Sequence, residues 1–260
     1  MQVSTDTLFH LRFDPAAHRA AYAILPGDPG RVESIARQLE DAAFLCSNRE
    51  YTIWTARAAG QPVFICSTGI GGPSAAIAVE ELYQAGVRTF IRAGTCGAMQ
   101  LPMKGGDLVV ATAAVRQEGT ALHYAPAEYP AAADFRVTAA LVQAAEELGR
   151  PVHVGVVQAK DSFYGQHDPG RMPVSAELLF KWEAYKKLGV LASEMECAAI
   201  FTAAAALGAR AGCVLHVIWN QEREAAGLDN PRCEDTSAAV ACAARAICIL
   251  AERDAANPRL

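Results

Sequence analysis

Three turns of the sequence combine glycine, arginine and hydroxyl side chains in a way that suits an anion. Pro26-Gly27-Asp28-Pro29-Gly30-Arg31 follows the apolar run 22–25, and Arg92-Ala93-Gly94-Thr95 ends a second apolar run. Between them lies Thr68-Gly69-Ile70-Gly71. Backbone N–H groups in glycine turns and the fork-shaped guanidinium group both bind phosphate oxygens. The turns therefore predict a phosphate site in an enzyme that acts on small molecules.

Two of these turns also have a structural interpretation. Asp28 could cap the helix that follows it, which would explain the first turn except for Arg31. An arginine at a buried strand end needs a negative partner, and for Arg92 a structural carboxylate would serve as well as a bound anion.

Other phosphate-binding classes fit the sequence poorly. Gly69-x-Gly71 lacks the third glycine of a dinucleotide-binding turn, because Ser74 occupies that position, and no acidic residue closes a suitable strand about 20 residues later. No GxxxxGK[ST] run occurs in the sequence, which excludes an ATP-type phosphate loop.

The segment Ser193-Glu194-Met195-Glu196 could bind a sugar. The carboxylate of Glu196 would accept hydrogen bonds from a diol, and Met195 would supply an apolar floor. The alternative is structural, because Ser193 and Glu196 match a capping box at the start of the next helix. The residues alone leave both interpretations open.

The segment 160–174, KDSFYGQHDPGRMPV, could bind a planar base. Phe163 offers an aromatic face for stacking, and the amide of Gln166 can read an imide edge with one donor and one acceptor. Phe163 and Tyr164 could instead be core aromatics. The mixture of glycine, proline and polar residues predicts an irregular loop that is long for a compact domain.

Composition narrows the class of protein. The chain has 260 residues, 52% hydrophobic and 20% charged, enough for a sizeable core, and we expect residues 1–260 to form one domain. The net charge of −5 and the lack of a basic run argue against nucleic acid as a partner. The eight cysteines include no CxxC pair, which predicts reduced thiols. The sequence shows no signal peptide and no apolar run of membrane length, so we expect a cytoplasmic protein without a membrane partner.

Apolar runs alternate with segments of helical length, which predicts a mixed α/β sheet with helices on both faces. The segment 51–66 alternates around Ala59-Gly60 and predicts an antiparallel hairpin. The other predicted strands are 22–25, 89–91, 108–112, 152–158, 191–192 and 213–219. The predicted helices are 31–39, 73–85, 137–148, 175–188, 195–207 and 236–253.

With these motifs assembled, the chain resembles the nucleoside phosphorylases of the uridine phosphorylase type over nearly its full length. The resemblance is carried, in order, by LPGDPGRVESIA, NREYTIW, STGIGGPSAAIAVEELYQAGVRTFIRAGTCGA, DSFYGQ and SEMECAAIF. It implies a one-domain, three-layer α/β/α fold with a mixed, partly closed central sheet. It also implies a homo-oligomer with shared active sites, a hexamer built as a trimer of dimers.

The resemblance implies a role for particular positions. Phosphate is held by Gly27, Arg31, Arg92 and Thr95 together with Arg49 from a partner subunit, and Arg31, Arg92, Thr95 and Glu196 carry the catalysis. Ribose is bound by Glu194, Met195 and Glu196 and by His10, which reaches the neighbouring subunit's site. Phe163 and Gln166 bind the base. A potassium ion between subunits would lie at Glu50, Ile70 and Ser74.

One departure from the family pattern affects the base site. Relatives follow the glutamine closely with an arginine that contacts uracil, whereas here the run is Gln166-His167-Asp168-Pro169-Gly170-Arg171. Arg171 could fold back into that role, or His167 could replace it. Purine-specific relatives place an aspartate after the last core strand, and Ile218-Trp219-Asn220-Gln221 contains no acid.

The expected activity is therefore the phosphorolysis of uridine, and of deoxyuridine as a further candidate, to uracil and the pentose 1-phosphate. Inorganic phosphate is the co-substrate and no cofactor is required. A structural potassium ion is a further candidate. Two alternatives stay open at this point: a phosphorylase of another nucleoside such as a purine nucleoside, and a nucleoside-binding protein without turnover.

Overall fold

Most strands form where the apolar runs predict them. The computed structural model describes residues 7–256, and within this range the chain forms ten strands that join in one sheet. The strands are β1 (Tyr22–Leu25), β2 (Glu40–Asn48), β3 (Tyr51–Ala58), β4 (Gln61–Cys66), β5 (Thr89–Ala98), β6 (Leu108–Gln117), β7 (Ala131–Ala132), β8 (Val152–Lys160), β9 (Ala192–Glu194) and β10 (Arg210–Asn220).

Five strands of the sheet close into a barrel-like ring. β10 pairs with β5 in parallel and with β6 antiparallel, and β8 and β9 complete the circle between β6 and β5. From β5 the sheet continues through β1, β4, β3 and β2, and β7 pairs with β6. Parallel and antiparallel pairs thus occur together, and the expected mixed, partly closed sheet is confirmed.

Helices cover both faces of the sheet. They are α1 (Val32–Ala36), α2 (Gly72–Gln84), α3 (Phe135–Glu147), α4 (Phe163–His167), α5 (Ser175–Lys187), α6 (Cys197–Ala206), α7 (Gln221–Ala225) and α8 (Ser237–Ala256). One apolar cluster joins the sheet to α2 and α6, and a second joins its other face to α1, α3 and α8. The α/β/α layering follows from these two clusters.

The predicted hairpin is present. β3 and β4 pair antiparallel, and both turn residues have positive φ, 47° at Ala59 and 75° at Gly60. Two positive φ values in a two-residue connection match the right-handed twist of the flanking strands.

One prediction about local structure is wrong, and one of the two open interpretations of the segment 193–196 is ruled out. The segment 160–174 is not one irregular loop, because Lys160 ends β8 and α4 and a 3₁₀ turn (Pro169–Arg171) follow. The capping box of Ser193 and Glu196 does not form, because Ser193 lies inside β9 and α6 begins only at Cys197.

Two expectations from composition can be compared with the structure. All eight cysteines are free, and five of them are buried. Among residues 7–256, no helix is both long and apolar enough to cross a membrane. The cytoplasmic location stays a prediction.

Candidate active site

A cavity of about 820 Å³ opens where β1, β5, β8, β9 and β10 end. It brings together most of the residues that the sequence singled out for phosphate and sugar. Its polar and aromatic lining includes Gly27, Arg31, Arg92, Thr95, Lys160, Phe163, His167, Ser193, Glu194, Met195, Glu196 and Trp219.

Arg92 lies at the centre of this cavity with its charge already shared between two carboxylates. Its Nε donates to Glu194 Oε2 at 3.0 Å, and its Nη2 contacts Glu196 Oε2. The third nitrogen, Nη1, is buried without a hydrogen-bond partner among the described residues. Burial acts to lower the pKa of Arg92, but Glu196 and Glu194 outweigh it and the net direction is upward. Arg92 therefore has structural partners and still keeps one free donor for an anion.

The first glycine turn lies against that free donor. A Cβ added at Gly27 would lie 4.0 Å from Arg92 Nη1 and 3.2 Å from the carbonyl oxygen of Gly69. Gly69 N–H donates to Gly27 O at 2.9 Å, so the first two glycine turns are tied together. A residue with a side chain at position 27 would crowd both neighbours.

Arg31 adds a second positive charge to the same wall. Asp28 caps the helical turn as predicted, because its carboxylate accepts from Gly30 N–H at 2.8 Å, and it reaches Arg31 only at 3.9 Å. Burial lowers the pKa of Arg31, Asp28 raises it, and the positive charge of Arg92 lowers it further. Two guanidinium groups beside exposed turn backbone and the Thr95 side chain form a surface that suits a phosphate group.

Glu194 is the residue that caps α6. Glu196 N–H donates to its Oε2 at 2.8 Å, and Cys197 N–H donates to its Oε1 at 2.9 Å. Together with the bond from Arg92, these contacts occupy both carboxylate oxygens. Glu194 therefore positions Arg92 and the start of the helix, and it explains why the Ser193–Glu196 capping box is absent.

Glu196 links the arginine to the second glycine turn. Its Oε1 accepts a hydrogen bond from Gly71 N–H at 2.6 Å, while Oε2 contacts Arg92. Burial raises the pKa of the Glu196 carboxyl, Arg92 lowers it, and Glu194 adds to the rise. A carboxylate has about four lone-pair directions, so Glu196 keeps acceptor capacity for ligand hydroxyls. Met195 lies beside it on the cavity surface, half-buried.

Three neighbouring aromatic side chains, here called the aromatic wall, also line the cavity. The rings of Phe163 and His167 are 4.2 Å apart, and those of His167 and Trp219 are 6.0 Å apart. Phe163 is 50% exposed and Tyr164 62%, so neither is a core aromatic. Burial lowers the pKa of His167 below its usual value, and the positive charge of Lys160 lowers it further. Both effects favour the neutral form of the His167 ring.

Gln166 and Arg171 lie outside this cavity. Gln166 lines a neighbouring cavity of about 190 Å³, where its Oε1 accepts from Ser193 Oγ at 2.5 Å. Arg171 is largely exposed and pairs with Asp168 at 2.9 Å, and its guanidinium lies over the Tyr164 ring. Their assignment to the base site stays a prediction, and in this structure neither reaches the aromatic wall.

Two residues expected to act on a neighbouring subunit also lie away from the cavity. Arg49 is exposed at the turn between β2 and β3, where its φ is 56°. His10 lines a separate open cavity of about 700 Å³, and its Nδ1 lies 2.7 Å from Glu81 Oε1. Neither residue lines the cavity that contains Arg92, and their role at a neighbouring subunit's site stays a prediction.

The three positions expected to bind potassium lie close together. Ser74 Oγ donates to Glu50 Oε1 at 2.6 Å, and this bond is the largest cause of the lowered pKa of Glu50. Ile70 is 78% exposed beside the cavity and follows Gly69, over which the Glu50 side chain lies. The group offers oxygen atoms, and its use as a potassium site stays a prediction.

Sequence reasoning missed several lining residues, among them Lys160, Trp219, Arg232 and Glu234. The first two lie beside aromatic side chains of the cavity. Lys160 Nζ donates to Ser193 Oγ at 2.7 Å and lies 6.0 Å from the centre of the Phe163 ring. Burial lowers the pKa of Lys160 to about 8, while Glu194 and Glu196 act to raise it. Lys160 and Trp219 each lie at or next to the carboxyl end of a strand. A polar or aromatic residue that follows an apolar strand is the same pattern that singled out Arg92.

Comparison with known proteins agrees with this geometry. A family model described as the phosphorylase superfamily matches residues 21–253. A uridine phosphorylase of Treponema pallidum is 48% identical over 256 residues, which cover 98% of this chain and 98% of that protein. This chain belongs to the phosphorylase superfamily.

Further relatives differ in the substrate that their names state. A uridine phosphorylase of Escherichia coli is 46% identical over 226 residues, 85% of this chain and 89% of that protein. A guanosine phosphorylase of Halorubrum lacusprofundi is 46% identical over 198 residues, 76% of this chain and 78% of that protein.

Proposed function

We propose that this protein is a uridine phosphorylase, a pentosyltransferase that converts uridine and inorganic phosphate to uracil and ribose 1-phosphate. The observation that carries the proposal is the contact of Arg92 with Glu196 inside one cavity. It puts an anion-binding group next to a diol-binding carboxylate, as transfer of a pentose to phosphate requires. The high identity to uridine phosphorylases over nearly the full chain supports the same activity.

Phosphate would bind at the wall formed by the first glycine turn. Arg92 Nη1 is the free buried donor there, and Gly27, Arg31 and Thr95 surround the same space. A bound phosphate would supply the missing partner of Nη1 and balance the two neighbouring guanidinium charges. This makes phosphate the nucleophile, so that no nucleophilic side chain is needed.

Ribose would bind between phosphate and the aromatic wall. Glu196 would accept hydrogen bonds from the sugar hydroxyls, and Met195 would pack against the ring. Glu194 would act indirectly, because its oxygens already hold Arg92 and the α6 N–H groups. Phe163 would stack on the base, with His167 and Trp219 beside it.

The reaction would be driven by positioning and preorganised charge. As the bond between C1′ and the base breaks, C1′ becomes cationic and the base takes the electron pair. Phosphate held by Arg31 and Arg92 lies next to the cationic carbon and stabilises it before forming the new bond. These steps require no covalent bond between the enzyme and the substrate.

A purine nucleoside is the second candidate substrate, supported by the relative named guanosine phosphorylase. The end of β10 argues against it. The run 218–221 contains no acid, and Asn220, the last residue of β10, donates from its Nδ2 to the carbonyl oxygens of Gln100 and Met103, at 2.9 Å and 2.8 Å. That side chain is turned into the fold.

We also propose shared sites in a homohexamer. The separation of Arg49 and His10 from the cavity of their own chain supports a site completed by a partner subunit. The same proposal includes a potassium ion at Glu50, Ile70 and Ser74. It also includes a single domain over residues 1–260 and a cytoplasmic location. Eight unpaired thiols support that location.

The test is release of base measured by ultraviolet absorbance, with uridine and inosine in parallel and with phosphate present or absent. The proposal predicts uracil release that requires phosphate. Release of hypoxanthine instead would favour the purine alternative, and no turnover of either nucleoside by folded protein would favour a binding protein.

A further inference from the structure

Lys160 is a buried cation that the reaction described above does not use. It is 5% exposed, and its one hydrogen bond among the described residues goes to Ser193 Oγ at 2.7 Å. It forms no ion pair with a carboxylate in residues 7–256. An ammonium group has three donors, so two remain free on the cavity side.

The surroundings of Lys160 belong to the base end of the cavity. Its Nζ lies 6.0 Å from the centre of the Phe163 ring, and its charge lowers the pKa of the neighbouring His167. The side chain lines both the central cavity and the smaller one that contains Gln166. A base stacked on Phe163 would therefore lie close to Nζ.

The charge balance gives Lys160 a structural role as well. Arg92, Lys160, Glu194 and Glu196 are all buried, and their charges sum to zero. Arg92 contacts both carboxylates but carries only one positive charge. Lys160 forms an ion pair with neither Glu194 nor Glu196, so it balances the second negative charge from a distance. An ammonium group with free donors and without a direct ionic partner is suited to receive a negative charge that appears during a reaction.

We propose that Lys160 donates a hydrogen bond to a carbonyl oxygen of the leaving base and stabilises the anion that forms as the glycosidic bond breaks. This inference rests on the proposed function and deepens it. It names the cation of the base site as Lys160 rather than Arg171, which is held by Asp168 outside the cavity.

The electrons and protons of this step balance without a further reactant. The electron pair of the bond between C1′ and N1 passes to N1 and spreads onto the carbonyl oxygens of the base. Lys160 supplies an N–H donor to one of those oxygens and stays protonated. Phosphate forms the new bond to C1′, and the base leaves as the anion and takes its proton from water. His167 is less suited to supply this charge, because burial and Lys160 lower its pKa.

The experiment compares Lys160→Met, Lys160→Arg and wild type with two nucleosides, uridine and 5-fluorouridine, in saturating phosphate. Methionine keeps the length of the buried stem and removes the charge, and arginine restores a donor. Lys181→Met is the matched control, because Lys181 is a surface residue paired with Glu177. Thermal unfolding confirms that each variant is folded.

Lys160→Met is expected to lower kcat/KM for uridine on the order of 100-fold, the loss that follows removal of one donor from an anion-stabilising site. The loss should be several times smaller for 5-fluorouridine, whose base is the better leaving group and needs less help. Lys160→Arg should recover much of the activity, and Lys181→Met should match wild type. Equal losses for both nucleosides would overturn the proposal and leave Lys160 with its structural role.

Binding of uracil by titration calorimetry separates this inference from the proposed function. If wild type binds uracil and Lys160→Met binds it more weakly, the assignment of Lys160 is supported even without turnover of uridine. If wild type turns over uridine and uracil binds equally well to both proteins, with equal kinetic losses, the function holds and the assignment of Lys160 fails.

Discussion

Arg92 and Gly27 face each other across the space proposed for phosphate, with Nη1 of the arginine 4.0 Å from where a Cβ at position 27 would lie. This nitrogen is the one group of Arg92 that neither Glu194 nor Glu196 occupies. The two carboxylates hold the guanidinium in place, and the glycine keeps the space beside it open. The two glutamates thus orient the Arg92 guanidinium, and the glycine turn gives a ligand access to it.

Gly27→Ala should weaken the use of phosphate more than the use of nucleoside. The added methyl would crowd the carbonyl of Gly69 at 3.2 Å and stand in front of Arg92 Nη1. We expect kcat/KM for phosphate to fall about 10- to 100-fold, as for a misplacement of about 1 Å. Gly170→Ala is the matched control, because its Cβ would meet nothing within 4 Å. An unchanged KM for phosphate in Gly27→Ala would contradict this reading of the turn.

Glu196→Gln should discriminate between sugars. If the carboxylate binds the diol, removal of its charge costs uridine more than 2′-deoxyuridine, which lacks one of the two hydroxyls. We expect a loss for uridine of about 10²- to 10³-fold in kcat/KM and a smaller one for the deoxynucleoside. Steady-state kinetics with both substrates provide the measurement. If Glu196 acted only by holding Arg92, the two losses would be equal.

Activity should fall as pH rises through about 8, because burial lowers the pKa of Lys160 to that value and the neutral amine cannot stabilise an anion. Glu194, Glu196, Cys96 and His167 face this group. His167 loses its charge at lower pH and the pKa of Cys96 is raised by burial, so neither accounts for a fall there.

The measurement is kcat/KM for uridine against pH, which reports groups of the free enzyme. In Lys160→Arg the fall near pH 8 should disappear, because guanidinium stays charged. A wild-type profile that is flat from pH 7 to about 9.5 would refute the assignment, since a Lys with a pKa near its usual value of about 10.4 would still be charged.

Two inactive variants should restore each other if sites are shared. Arg49→Asn removes a guanidinium that we expect to act on the partner's site, and asparagine tolerates the positive φ at this turn. Arg92→Met disables its own site. A co-expressed mixture contains pairs in which one site keeps both arginines, so its activity should exceed that of either variant alone. A mixture no more active than the mean of its parents would argue for self-contained sites.

The α3 helix offers a stability test away from the cavity. Asp134 accepts hydrogen bonds from Arg136 N–H at 2.9 Å and from Val137 N–H at 3.0 Å. Asp134→Ala should lower the free energy of unfolding by about 1 kcal/mol, whereas Asp134→Ser should keep most of it. Denaturant titration measures both, and activity per folded molecule should not change. Equal stability of the alanine and serine variants would show that the cap contributes nothing.

The sequence predicted the central elements because they are buried. Runs such as Tyr22–Leu25 lie inside the sheet and are apolar throughout, so their strands and the turns that follow were readable. The edge strand Glu40–Asn48 was missed although it contains the apolar run 42–46. In the structure most of its residues are exposed, so this run does not belong to the buried core from which the other strands were recognised.

Part of the candidate site could also be predicted from the sequence. Arg92 stood out because a charge at a buried strand end requires a partner, and the structure supplies Glu194 and Glu196. Lys160 carried the same signal at the end of β8 but stood next to a polar run that looked like a loop. The orientation of Gln166 toward Ser193 depends on how α4 packs, which local sequence does not encode.

The most direct test of the account is the fate of phosphate, followed by ³¹P nuclear magnetic resonance during turnover of uridine. Phosphate as the nucleophile predicts that inorganic phosphate disappears as ribose 1-phosphate and uracil appear in equal amounts. Uracil accompanied by free ribose, with the phosphate signal unchanged, would mean that water attacks C1′ and would contradict the account.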